Sequence, residues 1–210
     1  METIELIKNA FKLDLGGKSP IEIDDVGRFD LAALFRIAGF RVGAEVGVEQ
    51  GEYSKALCKL NPDLHLFCID AWTAHKEYKD HITQQKFDDF LSIAKKKLKG
   101  FNVTFIKKFS MDAVKDFEDG SLDFVYIDAN HGYKYVLQDI TEWSKKVRKG
   151  GIVSGHDYIK RTSPRTHQVV RAVDEYVKDN DIKTWFLFGS KNKQEGKVRD
   201  AARSWAWVKE

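Results

Sequence analysis

Two short segments of this 210-residue chain carry residue types that could perform chemistry on a small molecule. Asp128 closes the apolar run LDFVYID and is followed by His131, while His156 and Asp157 close the run GGIVSGHD. If both runs are parallel strands, their acid and histidine side chains meet at the carboxyl edge of one sheet, where open α/β folds bind ligands. Such a group could bind a divalent metal ion or perform acid–base catalysis.

A third segment, RVGAEVGVEQGEYS at residues 41–54, leads from an apolar run into a loop with an acid and two glycines. Glycines in this loop let the backbone approach a ligand closely because they lack a Cβ atom. The pattern E-x-G-x-x-x-G differs from the dinucleotide fingerprint G-x-G-x-x-G. It indicates a nucleotide-type pocket, although any doubly wound protein could contain a similar turn. The candidate pocket residues are Glu45, Gly47, Val48, Gly51, Tyr53 and Ser54.

The next apolar run, LHLFCID, ends at Asp70 and extends this pocket. A carboxylate at a strand end could accept hydrogen bonds from both ribose hydroxyls of a nucleoside. Ala71 and Trp72 follow directly and are further candidates for ligand contact. The Trp72 indole could either cover the ligand or close the protein core.

The order of the elements predicts the fold class. From residue 41 onward, seven strand-like runs alternate with helical patterns, which indicates βαβ units. No helix fits between TWFLFG and SWAWVK, so these two runs are predicted to pair as an antiparallel hairpin. The result is an α/β fold with a Rossmann-like, doubly wound sheet of seven strands, mostly parallel with an antiparallel C-terminal strand. Helices are predicted near residues 53–60, 82–98, 111–117, 133–147 and 166–178.

Residues 1–40 contain a turn-rich break at 14–18 and then a helical pattern, FDLAALFRIAGF. These residues are predicted to form a helical cap or lid, and residues 41–210 the main domain. The acidic amino end and the absence of an apolar run of ~20 residues predict a cytoplasmic protein with no membrane contact. Cys58 and Cys68 lie in apolar runs without CxxC spacing and are predicted to be reduced, buried thiols.

The net charge of +3 is too small to indicate a partner. Lysines cluster at residues 95–99 and 145–149, near the carboxyl ends of predicted helices, where cations complement the helix dipole. These clusters are therefore interpreted as solvated surfaces, and nucleic acid is not the expected partner. The sequence does not indicate an oligomeric state.

The segment DFVYIDANHGYKYVLQDITEWSKKVRKGGIVSGHDY resembles the signature of methyltransferase family 24, whose members have the class I, Rossmann-like fold and use S-adenosylmethionine. The shared pattern is I-D-x-x-H-x-Y, then a D-x-x-x-W helix, then G-G-x-x-x-x-H-D-Y. The glycine loop is similar to the first motif of such enzymes, E-x-G-x-G-x-G, with Glu49 at the middle glycine position. Tyr133, Asp139 and Trp143 have the spacing of residues that pack a helix on a sheet.

This resemblance implies S-adenosylmethionine as the cofactor, with contacts from the glycine loop, Asp70 and Asp128. It also places Ser110 and Met111 near the adenine ring, although Ser110 could equally cap the following helix. The implied reaction is O-methylation of a small hydroxylated acceptor, such as a sugar or a polyketide-like molecule. Asp112 is interpreted as an acid that favours the first turn of that helix.

Related metal-dependent O-methyltransferases hold Mg²⁺ with an acid at the position of Asp128 and a pair at the positions of His156 and Asp157. That pair is more often Asp-Asn or Asp-Asp, and imidazole suits Mg²⁺ less well than Mn²⁺, so both ions are candidates. A lysine that takes the hydroxyl proton in the catechol group is replaced here by His131. Imidazole with its ordinary pKa is a better base at neutral pH, although His131 could instead be structural.

The loop after Asp157 contains Arg161 and Arg165, which could bind a carboxylate or phosphate of the acceptor or belong to a solvated connection. Two other functions compete with methyl transfer. A nicotinamide-dependent oxidoreductase is disfavoured by the glycine spacing and by the terminal hairpin. A non-catalytic nucleoside- or RNA-binding protein would bind without turnover, and its RNA affinity would fall with salt.

Overall fold

The computed structural model describes residues 2–75, 83–159, 166–190, 195–196, 198 and 200–210, which form an eight-stranded sheet covered by helices. The strands are β1 Ile21–Ile23, β2 Val42–Val46, β3 His65–Asp70, β4 Val103–Lys107, β5 Leu122–Ile127, β6 Val147–Gly155, β7 Phe186–Phe188 and β8 Ser204–Val208. The helices are α1 Thr3–Phe11, α2 Arg28–Ile37, α3 Glu52–Leu60, α4 Gln84–Lys97, α5 Ser110–Ala113, α6 Tyr133–Lys146 and α7 Thr166–Asp179, and α5 continues into one 3₁₀ turn at Val114–Asp116.

The strand order across the sheet is β1-β7-β8-β6-β5-β2-β3-β4. Every neighbouring pair is parallel except the two pairs formed by β8, which runs antiparallel to both β6 and β7. The chain moves outward from β2 in one direction to β3 and β4, and then crosses to β5 on the other side. A ligand crevice is expected where the order reverses, at the carboxyl ends of β2 and β5.

This topology confirms the predicted Rossmann-like fold and the antiparallel hairpin of β7 and β8. The structure adds an eighth strand, β1, which lies in the first 40 residues and pairs in parallel with β7 from Ile21↔Phe186 to Ile23↔Phe188. Three residues are too few for an alternating apolar pattern to be recognised in the sequence. The pairing partner lies more than 160 residues away, so local propensity could not reveal it either.

Helices cover both faces of the sheet, and side chains alternate between two apolar layers. On β5, Phe124 and Tyr126 point to the layer shared with α1 to α4, while Val125 and Ile127 point to the layer shared with α5 to α7. Phe35 of α2 stacks on Phe124 with ring centroids 4.0 Å apart. The first helices therefore pack on the main sheet and share its core.

Most helix boundaries lie within two residues of their predicted positions. The clearest difference is α5, which ends at Ala113 before the 3₁₀ turn. The predicted start of the helix at residue 82 lies outside the described residues. None of the helices in the described part of the chain is long and apolar enough to cross a membrane. Cys58 and Cys68 are buried and unpaired, as predicted.

Candidate active site

The glycine loop lies against the carboxyl end of β5. Gly47 has φ +95°, and a Cβ atom at this position would come within 2.1 Å of the carbonyl oxygen of Asp128. Its N–H donates to the carbonyl of Ile69 at the end of β3. Gly51, at the amino end of α3, has φ +72°. Glycine is therefore favoured at both positions by the positive φ, and at Gly47 also by the close approach to Asp128.

Glu49 occupies the place where the similar motif has its middle glycine, and it takes a positive φ of +50°. A left-handed conformation costs a residue with a side chain about 1 to 2 kcal/mol, which glycine avoids. The chain thus keeps the glycine-like shape of the loop at this position. The Glu49 side chain itself is exposed.

The Asp70 carboxylate holds the glycine loop by accepting hydrogen bonds from backbone N–H groups. One carboxylate oxygen accepts the N–H groups of Val48 at 3.0 Å and Glu49 at 2.9 Å, and the other accepts the N–H of Trp72 at 2.9 Å. A carboxylate offers about four acceptor positions, so three are already used. Direct contact with both ribose hydroxyls, as predicted, therefore requires one of these backbone donors to move away.

Trp72 is fully buried, and its indole N–H donates to the carbonyl of Glu49 at 2.8 Å. Of the two interpretations of this side chain, the structure favours core closure. The indole supports the glycine loop from beneath. Ala71, the preceding residue, is half-buried beside Asp70.

Other predicted pocket side chains lie beneath the loop. Ser54 donates a hydrogen bond to Glu45, and both side chains are buried. Burial raises the pKa of Glu45 to about 8, so this carboxyl group is mostly protonated at neutral pH. Tyr53 is also buried and donates its hydroxyl to the carbonyl of Arg28. Like Val48, these residues shape the site from within the core.

Ser110 begins α5 but does not cap it, because the cap position is Phe109. Its hydroxyl donates to Asp139 and accepts the indole N–H of Trp143 at 2.8 Å. Burial raises the pKa of Asp139 to about 7. This buried group joins α5 to α6, which gives Asp139 and Trp143 the packing role expected of them. Met111 lies half-buried on the same turn.

The acid and histidine residues predicted from the two later segments do meet. Strands β5 and β6 are parallel neighbours with Ile127 opposite Gly155, so the residues after them share one edge. His131 Nε2 lies 2.9 Å from Asp157 Oδ2 and 3.5 Å from Asp128 Oδ1. His156 Nδ1 lies 3.6 Å from Asp128 Oδ2 and 3.7 Å from Asp157 Oδ2. We call these four residues the acid–histidine cluster.

Charge interactions in the cluster change the titration of its members. Hydrogen bonds to Asp128 and Asp157 raise the pKa of His131 to about 10. The expectation of an ordinary imidazole pKa is therefore wrong, because His131 without a bound ligand carries a proton at neutral pH. Burial lowers the pKa of His156, but contacts with Asp157 and Asp200 outweigh it and the net pKa is about 9. Burial would raise the pKa of Asp157, yet the two histidines hold it below its usual range.

Three of the four cluster residues could hold a divalent metal ion. One ligand atom from each of Asp128, His131 and Asp157 lies within 4.8 Å of the other two. This trio contains His131 where the sequence predicted His156 as the third ligand. Two carboxylates and one imidazole suit Mn²⁺ or a similar ion better than Mg²⁺, which prefers oxygen ligands.

Sequence reasoning missed Asp200, which lies between β7 and β8. Its Oδ1 is 3.7 Å from Nε2 of His156, and its Oδ2 accepts the N–H of Arg28 at 3.0 Å. No strand, helix or motif marks this position in the sequence, and only the tertiary fold brings it to the cluster.

The predicted acceptor-binding residues Arg161 and Arg165 lie outside the described residues.

Comparison with known proteins gives a family. A model of methyltransferase family 24, described as a methyltransferase domain, matches residues 44–158. The uncharacterized protein R132 of Acanthamoeba polyphaga mimivirus is 36% identical over an alignment of 85 positions, which covers 38% of this chain and only 37% of that relative.

Two solved structures share the fold over 99% of this chain. An O-methyltransferase from Bacillus cereus, in complex with S-adenosylhomocysteine, has a TM-score of 0.61 at 15% identity, with 90% of that chain covered. TomG, an O-methyltransferase of Streptomyces achromogenes in complex with S-adenosylmethionine, has a TM-score of 0.61 at 18% identity, with 89% covered. Because the family model matches more than half of the sequence, the chain belongs to methyltransferase family 24, within the class I S-adenosylmethionine-dependent methyltransferases.

Proposed function

We propose that this protein transfers a methyl group from S-adenosylmethionine to a hydroxyl oxygen of a small metabolite, such as a sugar or a polyketide-like molecule. One observation carries the proposal. The glycine loop and the acid–histidine cluster meet where Gly47 approaches the carbonyl of Asp128. A donor bound on the loop and an acceptor bound at the cluster would therefore be neighbours. Proximity and alignment of this kind supply much of the rate of bimolecular group transfer.

The cofactor side of the proposal rests on the loop from Gly47 to Gly51. S-adenosylmethionine, when bound, supplies an electrophilic methyl group on a positively charged sulfur. Asp70 fixes the loop through Val48 and Glu49, so the backbone is ordered before a ligand arrives. Support comes from the two solved relatives of the same fold that were crystallised with this cofactor or its demethylated product.

The acceptor side rests on the cluster, where the hydroxyl must lose its proton. Asp128 and Asp157 can accept a hydrogen bond from that hydroxyl and orient it. Without a metal, His131 remains the proposed base, and it can act only after losing the proton that it carries at neutral pH. With a divalent cation held by Asp128, His131 and Asp157, His131 would be a ligand, and the cation would supply positive charge that lowers the pKa of a nearby hydroxyl.

Three further predictions remain proposals. Residues 1–40, which also supply β1 to the sheet, would cover one side of the site through α2, whose first residue is Arg28. Arg161 and Arg165 would bind an anionic group of the acceptor. The protein would act in the cytoplasm on small molecules. Because the family is that of methyltransferases, a nicotinamide-dependent oxidoreductase is no longer a competing function.

A screen for release of S-adenosylhomocysteine tests the proposal. The protein is incubated with S-adenosylmethionine and a panel of hydroxylated sugars and polyketide-like phenols. Each acceptor is tested with Mn²⁺, with Mg²⁺ and after exhaustive chelation, and reactions without acceptor or with RNA are the controls. We expect release that depends on a small hydroxylated acceptor and increases with Mn²⁺. Release that occurs only with RNA would contradict the proposed substrate class, and full turnover after chelation would exclude a catalytic metal.

A further inference from the structure

His156 lies between a pair of carboxylates on one side and a single carboxylate on the other. Its Nδ1 faces Asp128 and Asp157, and its Nε2 lies 3.7 Å from Oδ1 of Asp200. The imidazole is only 10% exposed, and Nε2 is buried without a hydrogen-bond partner in the described part of the chain. A buried polar atom of this kind is rarely left unsatisfied, so the missing hydrogen bond of Nε2 needs an explanation.

We propose that Asp200 is a positioning residue for methyl transfer: its Oδ1 accepts the N–H of His156 Nε2 when the site is occupied and keeps Nδ1 directed at Asp128 and Asp157. This inference rests on the proposed function. The distance of 3.7 Å is longer than a hydrogen bond. Contacts within active sites often shorten when ligands bind, so a long distance in the free protein is compatible with this role.

Asp200 is well placed to hold another residue because it is itself fixed. Its second oxygen accepts the N–H of Arg28, the first residue of α2. A Cβ atom at Gly27 would lie 3.0 Å from the Cβ of Asp200, and one at Gly189 would lie 2.3 Å from its carbonyl oxygen. Close packing on both sides thus limits how far the carboxylate can move.

The backbone of His156 is held from the same direction. Its carbonyl oxygen accepts the indole N–H of Trp205 at 3.1 Å, and Trp205 lies in β8. The N–H of Tyr158 donates to the carbonyl of Arg203, immediately before β8. Residues around β8 therefore fix the main chain of His156, and Asp200 completes the arrangement at the side chain.

A purely structural role for Asp200 is the main alternative, because its carboxylate also accepts a hydrogen bond at the start of α2. The variant Asp200→Asn separates the two roles. Asparagine has one acceptor oxygen, which can keep the hydrogen bond from Arg28. Its NH₂ group then faces Nε2 of His156, where a donor cannot replace an acceptor. Asp25→Asn is the matched control, since Asp25 accepts the N–H of Val198 but does not face His156.

The test is nuclear magnetic resonance of protein labelled with ¹⁵N-histidine, in the presence of S-adenosylhomocysteine and diamagnetic Mg²⁺. The His156 signals are identified by their absence in His156→Gln. We expect an Nε2–H proton of His156 that exchanges slowly with water in the unmodified protein and in Asp25→Asn, and that disappears in Asp200→Asn.

An Nε2–H signal that persists in Asp200→Asn would overturn the inference. So would its absence from the unmodified protein, a result that holds even if Asp200→Asn does not fold. Asp200→Glu keeps an acceptor and should retain the slow proton. These measurements need no methyl acceptor. A slow Nε2–H that depends on Asp200 therefore supports the positioning role even when the acceptor screen fails.

Discussion

The glycine loop and the acid–histidine cluster are neighbours at Gly47 and Asp128, but the fold holds them in different ways. The loop is fixed by backbone hydrogen bonds to one carboxylate, Asp70, within a short stretch of sequence. The cluster consists of charged side chains from separate segments, with N···O distances from 2.9 to 3.7 Å. The loop is thus ordered by backbone donors before binding, whereas the cluster is held by ion pairs between two carboxylates and two protonated histidines.

The largest expected effect is on the loop. In Gly47→Ala, the new Cβ would overlap the backbone of Asp128 in a conformation with φ +95°. We expect a loss of at least about 4 kcal/mol of stability, because a backbone clash adds to conformational strain. Denaturant unfolding monitored by tryptophan fluorescence measures this loss.

Gly100→Ala is the control for Gly47→Ala. Gly100 has a similar φ of +91°, but a Cβ there would contact nothing within 4 Å. Its replacement should therefore cost only the conformational strain, about 1 to 2 kcal/mol. Equal losses in the two variants would show that the loop is not pressed against β5.

A more gradual effect, spread over several pH units, is expected from Glu45, the neutral carboxyl group beneath the loop. The pKa of Glu45 rises from 4.5 to about 8 on folding, mainly through burial. Its contribution to stability is therefore complete below pH 4.5 and is lost as the pH rises through 8. Glu45→Gln removes this titration. The free energy of unfolding should then depend less on pH between 4.5 and 8, with a slope that is smaller by at most about 1.4 kcal/mol per pH unit.

Glu52→Gln is the control for that experiment, because Lys97 lowers the pKa of the exposed Glu52. The stability that Glu52 contributes is present above its unfolded pKa and is lost as the pH falls. Its removal should leave the profile between pH 5 and 8 unchanged. An unaltered slope in Glu45→Gln would mean that Glu45 is ionised in the folded protein.

The smallest expected effect concerns the cluster. His131→Ala removes one of the three proposed ligands of a divalent cation, so affinity for Mn²⁺ should fall at least tenfold, or about 1.4 kcal/mol. Calorimetric titration measures the change. His65→Ala is the control, because His65 begins β3 and contacts Thr104 away from the cluster. Equal Mn²⁺ affinity in both variants would leave His131 with a role in orienting the acceptor only.

The sequence predicted those parts of the fold that local patterns specify. Long apolar runs identified the strands from β2 to β8, and the short polar linker before SWAWV identified the antiparallel pair. The three-residue β1 escaped detection because its pairing with distant β7 stabilises it. The residues of the glycine loop were predictable because Glu45, Gly47 and Asp70 belong to elements next to each other along the chain.

The cluster was only partly predictable. Asp128 and Asp157 follow obvious strands, and parallel pairing brings them together. The raised pKa of His131 depends on both carboxylates at once and on their distances, which no local pattern contains. Asp200 comes from a polar connection that has no sequence signal. The burial of Trp72 depends on how its indole meets the loop, so its two interpretations could be separated only in the folded protein.

The most direct test of the central claim is calorimetric titration of the unmodified protein and Asp70→Ala with S-adenosylhomocysteine. Because Asp70 fixes the loop and faces the proposed ribose site, we expect binding to the unmodified protein that is weakened at least tenfold in the variant, or about 1.4 kcal/mol. Titration with NADH should show no binding. Unchanged affinity in Asp70→Ala, or binding of NADH without binding of S-adenosylhomocysteine, would contradict a methyl-donor site on the glycine loop.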